Sequence, residues 1–502
     1  MSSVLLFLFA CHHVSWIESV EDVACVTAPQ PTETLSNVMT KLLPVEESME
    51  DVSNKTGVLV LEEGLQALLL RGWLAEQAQQ SIDIQYFIFS ADNVGLIAMA
   101  NLLEAAERGV HIRLIVDDVL AHGDELLLRD MDAHPNIEIK VFNPNINIGK
   151  HWTEKSKNLV TQFDAINQRM HHKTFIVDGM VSVTGGRNVA DEYYDLDDVY
   201  NFRDRDVALF GETVRVVSEG FTFFWDDPHS VPIADLLETP SIEIVEATWN
   251  KLRTHSCSPV NFLPQFRTKI TEMPAYLYAE QNKGTLVWVD TVQYISDAPW
   301  KNEVEGFDGG SITTRELLSL LDAATERIWI QTPYLVLSEV GLNALQQARN
   351  KGVEIKILTN SLAATDNYPA FAGYKKIRGR LLDMGVEVFE IMPNAPDVKA
   401  LNKTGIPNKM DADVGLHAKS MLIDHDVAVI GSFNMDPRSA NLNTENIVVI
   451  RDPRVYTQME MYFSREMNST NAWPADEKNE KQAGYKQRFI TWMSQIVPAF
   501  LL

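Results

Sequence analysis

Nine residues, Met170-His171-His172-Lys173-Thr174-Phe175-Ile176-Val177-Asp178, carry the pattern that decides the fold of this chain. The pattern returns as Leu416-His417-Ala418-Lys419-Ser420-Met421-Leu422-Ile423-Asp424. In both copies a histidine stands two residues before a lysine, and an apolar run leads from that lysine to an aspartate. Apolar runs of this length, rich in β-branched and aromatic residues, predict a β-strand. The recurrence of the pattern within 502 residues points to a duplicated domain.

Two further segments repeat in the same order and with nearly the same spacing. Ser81-Ile82-Asp83-Ile84-Gln85-Tyr86 returns as Arg327-Ile328-Trp329-Ile330-Gln331-Thr332. Arg108-Gly109-Val110-His111-Ile112-Arg113-Leu114-Ile115 returns as Lys351-Gly352-Val353-Glu354-Ile355-Lys356-Ile357-Leu358. Because three segments keep one spacing, the chain is predicted to hold two copies of one folding unit.

Each copy alternates helical and strand patterns. Helices are predicted over residues 65–79, 96–108, 314–326 and 340–350, and strands over residues 82–89, 112–116, 328–333 and 355–359. Helix-then-strand alternation with short apolar strands is typical of α/β proteins. We therefore expect two tandem α/β/α sandwich domains that form a pseudo-twofold pair with one site between them.

The composition divides the chain into five parts. We predict an N-terminal leader or linker over residues 1–55, a first domain over 56–235 and a connecting segment over 236–300. A second domain follows over 301–465, and an amphipathic tail over 466–502. In the tail, one helical face collects apolar residues, with basic residues nearby: Tyr485, Phe489, Trp492, Met493 and Ile496, beside Lys481, Lys486 and Arg488. This face either lies at a lipid surface or packs on the second domain.

The leader contains Leu8-Phe9-Ala10-Cys11, which looks like a bacterial lipoprotein cleavage site with Cys11 as the lipidated residue. No basic residue precedes the apolar stretch before Cys11, so a misassigned start or a degraded signal segment is the alternative. The three cysteines cannot build a disulfide framework, and none of them has the CxxC spacing of a zinc site. No run approaches the length of about 20 apolar residues that a membrane span needs.

A net charge of −26 argues against a nucleic-acid substrate. Proteins that bind nucleic acid gain most of their affinity from basic residues that neutralise phosphates. The charge of this chain has the opposite sign, so only a local basic cleft could serve that purpose.

The paired histidine and lysine indicate phosphate chemistry. Alternate residues of a strand share one face, so His171 would lie beside Lys173, and His417 beside Lys419. An ammonium group repels a divalent metal, but it attracts a phosphate that the imidazole can attack or protonate. The aspartates, Asp178 and Asp424, fall at an odd step from the lysines, and we interpret them as structural.

Downstream of each pair, a segment of small residues ends in asparagine: Gly185-Gly186-Arg187-Asn188 and Gly431-Ser432-Phe433-Asn434. Glycine permits close backbone approach, and an asparagine amide can donate to a phosphate oxygen. Farther on, Asp204 and Glu445 could each orient an imidazole through its second nitrogen, although either could be an ordinary surface carboxylate.

The doubled HxKxxxxD pattern resembles the phospholipase D superfamily, in which it is known as the HKD motif. The segments around Asn188 and Asn434, together with the stretch from Gly373 to Val388, resemble its bacterial cardiolipin synthase branch, particularly the C-type proteins. The resemblance covers residues from about Gly57 to the C-terminus. It implies two tandem phospholipase D-type α/β/α sandwich domains with one active site at their interface.

The resemblance also implies a reaction with two displacements and a phosphohistidine intermediate, without metal or other cofactor. It favours His171 as nucleophile and His417 as acid and base, although the residues alone do not distinguish the two. Lys173 and Lys419, with the two asparagines, would hold the phosphoryl oxygens. Gly186 and Ser432 stand at equivalent positions that could contact the substrate, so the half-sites are unequal.

The function that we expect is phosphatidyl transfer, which makes cardiolipin from phosphatidylglycerol and a second phospholipid. A phospholipase D-type hydrolase that releases phosphatidic acid would use the same residues, and a nuclease is a third candidate that the acidic charge disfavours. The expected partners are phospholipid substrates and the membrane surface of a bacterial cell envelope, with no nucleic acid. The residues leave open whether a small partner protein is needed.

Overall fold

The computed structural model describes residues 33–43, 54–118, 125–144, 148, 168–301 and 310–496. Two large mixed sheets, one in each half, carry most of the strands, and a two-stranded parallel sheet bridges the halves. Cys11 lies outside the described residues.

The strands of the first half are β1 (Thr56–Leu61), β2 (Ser81–Tyr86), β3 (His111–Asp117), β4 (Ile137–Phe142), β5 (Lys173–Val177), β6 (Val181–Gly185), β7 (Tyr200–Arg203), β8 (Asp206–Gly211), β9 (Ser230–Pro232) and β10 (Leu286–Val289). Those of the second half are β11 (Val292–Ser296), β12 (Arg327–Gln331), β13 (Glu354–Asn360), β14 (Glu387–Ile391), β15 (Asp413–Leu416), β16 (Ser420–Ile423), β17 (Val427–Gly431), β18 (Asn446–Arg451) and β19 (Ala472–Pro474).

The helices of the first half are α1 (Leu35–Leu42), α2 (Gly64–Gln77), α3 (Asn93–Glu107), α4 (Glu125–Asp132), α5 (Glu212–Trp225), α6 (Ile242–Cys257), α7 (Pro264–Thr271) and α8 (Met273–Lys283). Those of the second half are α9 (Ile312–Ala323), α10 (Glu339–Asn350), α11 (Tyr368–Asp383), α12 (Pro396–Lys399), α13 (Pro407–Asp411), α14 (Pro437–Asn441), α15 (Pro453–Glu466) and α16 (Tyr485–Ser494). Short 3₁₀ turns cover Asp191–Tyr193, Ile233–Asp235 and Glu477–Gln482.

The order of the strands confirms the duplication. The first sheet runs β10-β1-β8-β6-β5-β2-β3-β4-β9, and the second runs β11-β18-β17-β16-β12-β13-β14-β19. From β1 and β11 onward, every position of one sheet has its counterpart in the other. The predicted alternation of helices and strands is also confirmed, since α2, β2, α3 and β3 and their counterparts α9, β12, α10 and β13 lie within a few residues of the predicted ranges.

The segments predicted as leader, connecting segment and tail all contribute helices or strands that pack on the domains or pair with their sheets. Residues Leu35, Val38 and Leu42 are buried on one face of α1, and the Trp288 indole donates to the Leu42 carbonyl over 2.8 Å. The connecting segment supplies an edge strand to each large sheet, β10 to the first and β11 to the second. The tail supplies β19 in the same way.

A continuous apolar core joins the two halves. Buried side chains of the first sheet, such as Ile176 and Leu209, belong to one cluster with Leu422 and Val448 of the second. Burial of this kind is the dominant favourable contribution to the association of protein surfaces. The two domains therefore form one body, which fixes the residues at their interface. Within the described residues, no helix is both long enough and apolar enough to cross a membrane.

Candidate active site

The two histidine–lysine motifs meet at the interface between the halves, but each histidine precedes the strand that was predicted to hold it. β5 begins at Lys173 and β16 begins at Ser420, so the prediction that histidine and lysine share a strand is wrong. The reason is that both histidines pair with the other half instead. The His171 N–H donates to the Thr444 carbonyl over 3.0 Å, and the His417 N–H donates to the Arg203 carbonyl over 2.8 Å.

Each imidazole is held by a carboxylate from the opposite half. Nδ1 of His171 lies 2.8 Å from Oε2 of Glu445, and Nδ1 of His417 lies 2.6 Å from Oδ2 of Asp204. All four side chains are buried. A carboxylate on Nδ1 fixes the orientation of the ring and leaves Nε2 as the nitrogen that can attack or exchange a proton. The exchange of carboxylates is reciprocal, so neither half holds a complete site alone.

Aromatic rings pack against both imidazoles. The Phe87 ring meets that of His171 edge-on at 5.0 Å between centroids. The His417 ring contacts Tyr193 at 5.1 Å and Phe202 at 4.7 Å. Such contacts restrict ring rotation and keep water away from the imidazoles. The sequence offered no signal that separates these three rings from ordinary core residues.

The two lysines are buried beside their histidines. The Lys173 ammonium donates to the His171 carbonyl over 2.6 Å, and the Lys419 ammonium donates to the His417 carbonyl over the same distance. Lys419 Nζ also lies 2.9 Å from Nδ1 of His417. Burial lowers the pKa of Lys173 to about 7 and that of Lys419 to about 8, because a buried ammonium has lost its hydration. A bound anion would restore the charge of both.

The imidazoles are neutral at physiological pH. Burial, reinforced by the charges of Lys173 and Lys419, holds the pKa of His171 well below its usual range. Burial and Lys419 lower the pKa of His417 to about 3, against the opposing effect of Asp204.

In the described part of the chain, no group of three or more histidine, cysteine or acidic residues is arranged to hold a metal ion.

The two carboxylates differ in their electrostatic state. Burial raises the pKa of Glu445 to about 7, although Lys173 and the Ser432 hydroxyl oppose the shift. Burial also tends to raise the pKa of Asp204. The interactions of Asp204 with His417 and Lys419 outweigh this effect and hold its pKa well below the usual range. Asp204 is therefore an anion at pH 7, whereas burial makes Glu445 a much weaker acid.

Gly186 and Ser432, at equivalent positions, each fit the carboxylate of their own half. A Cβ atom on Gly186 would lie 2.1 Å from Oδ1 of Asp204, so only glycine leaves room for that carboxylate. The Ser432 hydroxyl donates to Oε2 of Glu445 over 2.5 Å. The half-sites are thus unequal because their carboxylates differ in length. A contact of either residue with the substrate stays a prediction.

Both asparagines of the repeated segments are buried. The Ile88 N–H donates to Oδ1 of Asn188 over 3.2 Å, which leaves the amide nitrogen of Asn188 as a donor. The Asn434 N–H donates to the Ser439 hydroxyl over 3.1 Å. The side-chain oxygen of Asn434 is buried without a hydrogen-bond partner among the described residues. Their role as phosphate ligands stays a prediction.

The aspartates of the repeated motif lie away from the imidazoles and close a turn. Asp178 accepts hydrogen bonds from the N–H groups of Gln79, Gln80 and Ser81, at the start of β2. Asp424 accepts from three equivalent groups at the start of β12: Thr325, Glu326 and Arg327. Both aspartates have a φ of 51°.

A buried ionic network contacts the backbone of Asp204 through Arg203, which donates to the Asp204 carbonyl. The sequence analysis did not predict this network. Arg203 forms ion pairs with Glu62 of its own half and with Glu466 of the second half. Gln331 donates to Glu466 and accepts from Arg205, so the network crosses the interface. These ion pairs join residues that are far apart in the sequence, so only the folded chain reveals them.

Comparison with known proteins agrees with this geometry. The family model described as "Cardiolipin synthase, PLD-like domain" matches residues 74–220 and 317–467. Cardiolipin synthase C of Escherichia coli is 36% identical over 400 residues, which cover 78% of this chain and 81% of the relative. A cardiolipin synthase of Halalkalibacterium halodurans is 24% identical over 426 residues, which cover 84% of this chain and 68% of the relative.

A solved structure has the same fold. The phosphatidylserine synthase of Haemophilus influenzae superposes with a TM-score of 0.58 at 12% identity. The superposition covers 92% of this chain and all of the other. At 12% identity this similarity shows a shared fold and nothing more. The family model and the sequence relatives show the family to which the chain belongs. The chain therefore belongs to the cardiolipin synthase family of PLD-like domain proteins and carries two copies of that domain.

Proposed function

We propose that this protein is a phosphatidyltransferase that makes cardiolipin from phosphatidylglycerol and a second phospholipid. The observation that carries the proposal is the pair of buried histidine–lysine motifs, each completed by a carboxylate from the other half. The relatives named cardiolipin synthase support the choice of lipid chemistry.

A phosphodiester suits this site because of its charge. A phospholipid phosphodiester is a monoanion, and the buried ammonium groups of Lys173 and Lys419 gain a counter-ion when it enters. The anion raises the pKa of both lysines and of His417. Asn188 and Asn434 would add neutral donors to the phosphoryl oxygens. Donors already in place where charge builds up are an effective source of transition-state stabilisation.

In the first displacement, Nε2 of His171 attacks the phosphorus of the donor lipid. A phosphorus–nitrogen bond forms, and the bond from phosphorus to the head-group oxygen breaks. His417 gives its proton to that oxygen, so the head group leaves as a neutral alcohol. The phosphatidyl group stays on His171 as a phosphohistidine.

In the second displacement, a hydroxyl of phosphatidylglycerol takes the place of the departed alcohol. His417, now neutral, removes the hydroxyl proton while the oxygen attacks phosphorus. The phosphorus–nitrogen bond breaks, and its electron pair returns to His171. Cardiolipin leaves, His417 returns its proton to solvent as its pKa falls again, and it takes up a proton when the next anionic lipid binds. Water in place of the second lipid would give phosphatidic acid.

The unequal carboxylates support His171 as the nucleophile. His417 must carry a positive charge when it acts as an acid, and the anionic Asp204 stabilises that charge. Burial raises the pKa of Glu445 and weakens it as an acid, so His171 gains less from its partner and stays neutral. A neutral imidazole is the form that attacks phosphorus.

Because the substrates are membrane lipids, we infer that the enzyme works at a membrane of the bacterial cell envelope. Lipidation of Cys11 would provide an anchor, and that residue lies outside the described part of the chain. Both this anchor and a small partner protein stay predictions.

The decisive experiment compares the purified protein with the His171→Ala and His417→Ala variants. Labelled phosphatidylglycerol, with and without phosphatidylethanolamine, is followed by mass spectrometry. The proposal expects cardiolipin from the wild type and none from either variant. Phosphatidic acid alone would identify a hydrolase. No turnover of any lipid, with native membranes supplied, would redirect the search to other phosphodiesters.

A further inference from the structure

Helix α16 exposes an apolar face that nothing in the described part of the chain covers. Tyr485, Phe489, Trp492 and Ile496 are exposed by 87%, 62%, 63% and 74%. Their spacing puts them on one side of the helix, whereas the buried Thr491 and Ser494 lie on the other. Of the two alternatives for this apolar face, packing on the second domain is therefore not what the structure shows.

The exposed residues form a patch rather than scattered single contacts with water. The rings of Phe489 and Trp492 lie 6.1 Å apart between centroids, and the Arg488 guanidinium lies 4.6 Å above the Tyr485 ring. Single exposed apolar residues need no explanation, but a contiguous exposed patch marks an interaction site.

The residues around the patch indicate what it binds. Lys481 and Lys486 are exposed beside the aromatic stripe, and Arg488 is partly exposed. The nearby Glu480 is already paired with Lys375 and Arg378. Aromatic residues with basic neighbours on one amphipathic helix match the boundary between lipid head groups and acyl chains. The local positive charge offsets the acidic character of the whole protein where the helix would meet anionic lipid.

The helix is also connected to the active site. Gln487 donates to the Ala363 carbonyl over 3.4 Å, and the Tyr200 hydroxyl donates to the adjacent Ala364 carbonyl over 2.6 Å. The Tyr200 ring lies 5.3 Å from that of Phe202, which contacts the imidazole of His417. One short chain of contacts therefore joins α16 to a catalytic residue.

We propose that the exposed face of α16 docks on a phospholipid bilayer and holds the catalytic interface close to the lipid head groups. The choice of a bilayer as the binding partner rests on the proposed function. The exposure of this face and its contacts toward the catalytic interface are observed independently of that function.

The test is vesicle flotation with the full-length protein and a Phe489→Ser, Trp492→Ser double variant. Vesicles contain phosphatidylglycerol and phosphatidylcholine. Loss of two large rings should weaken binding by about tenfold or more, because each buries a large apolar surface. The matched control is an Ile242→Ser, Ile244→Ser double variant, which removes exposed apolar residues from α6 of the other half and should bind as the wild type does.

A second measurement separates docking from chemistry. With short-chain lipid dispersed below its micelle concentration, the α16 variant should turn over substrate at the wild-type rate, and with vesicles it should be about tenfold slower or more. Wild-type protein that does not float, or a variant that floats equally well, would overturn the proposal. So would light scattering that shows a wild-type dimer and a monomeric variant, because a second copy would then cover the face. Flotation requires no turnover, so an inactive protein that still binds through α16 would refute only the proposed function.

Discussion

At the scale of single residues, His171 and His417 occupy equivalent positions, yet their carboxylate partners differ in length and in charge. The pKa of Asp204 is held well below its usual range, whereas burial raises the pKa of Glu445. An imidazole beside the stronger acid keeps a proton more readily than one beside the weaker acid. The proposed division of roles between the two copies of the motif therefore rests on residues outside it.

The first prediction follows from this difference. Asp204→Asn should lower kcat by about 10²–10⁴-fold, the usual contribution of acid–base catalysis, because His417 loses the anion that stabilises its proton. Glu445→Gln should lower kcat by less than about tenfold, since the raised pKa of Glu445 makes it a weaker acid, and an amide there removes less charge than it does at Asp204. Steady-state kinetics on phosphatidylglycerol measures both. Equal losses would contradict the assigned roles.

The second prediction concerns Gly186. Gly186→Ala should leave the fold intact but lower kcat by about 10²-fold, because the new methyl group displaces the Asp204 carboxylate from His417. Gly379→Ala in α11 is the matched control, since a Cβ there meets no atom within 4 Å. The control should keep full activity and gain about 0.4–1 kcal/mol of stability. Wild-type activity in Gly186→Ala would show that the carboxylate has room to move.

The third prediction is a pH dependence. Burial lowers the pKa of Lys173 to about 7 and that of Lys419 to about 8, so the charged forms that attract phosphate are lost as pH rises through this range. We expect kcat/KM to fall above about pH 7–8, because this ratio reports the free enzyme. Lys173→Arg should move the start of the decline from about pH 7 towards pH 8, even at a lower rate, because guanidinium stays charged and only Lys419 still titrates. A flat profile to pH 10 would contradict it.

At the scale of elements, the turns between α2 and β2 and between α9 and β12 depend on one carboxylate each. Asp178 collects three N–H groups just before β2, and Asp424 collects three just before β12. A positive φ at both residues adds a second reason for aspartate, which adopts this conformation more readily than most side chains.

The fourth prediction tests this turn. Asp178→Ala should lower the free energy of unfolding by about 1–3 kcal/mol, because three N–H groups lose a charged acceptor. Asp178→Asn keeps one acceptor oxygen and tolerates the positive φ, so its loss should be smaller. Urea unfolding measures both variants. Their kcat under folding conditions should match the wild type, and a large fall would point to a role in catalysis.

At the scale of the whole molecule, the candidate active site forms only because the halves are docked. Each imidazole takes its carboxylate from across the interface, and the same interface buries the ion pairs between Arg203, Glu62 and Glu466. Breaking a buried pair leaves a charge without a counter-ion, which is strongly destabilising. A substitution that separates the two halves should therefore also abolish activity.

The fifth prediction uses Glu466. Glu466→Ala should destabilise the protein by about 3–5 kcal/mol and reduce activity, because Arg203 also donates to the backbone carbonyl of Asp204. The control is Glu219→Ala, which breaks an exposed pair with Arg215 and should change little. Thermal unfolding and the lipid assay measure both. Similar melting of the two variants would contradict a role for the buried network.

The sequence by itself determined the duplication, the fold class and the two histidine–lysine pairs. These features are local: apolar runs with helical or strand periods reappear at one spacing, and each HxK pair lies within three residues. It misplaced the histidines within strands, because a strand pattern does not reveal that the chain leaves its own sheet to pair with the other half. It did not predict helix α1 within the leader or linker, although Leu35, Val38 and Leu42 are buried on one face of that helix.

Only the tertiary structure decided which carboxylate meets which imidazole. Asp204 and Glu445 could be named as candidates, but their exchange between halves depends on how two domains dock, and no local period encodes docking. The rings of Phe87 and Phe202 and the exposure of α16 were decided in the same way. Whether an apolar residue faces core, site or solvent is a property of the packed molecule, because it depends on which distant surfaces meet.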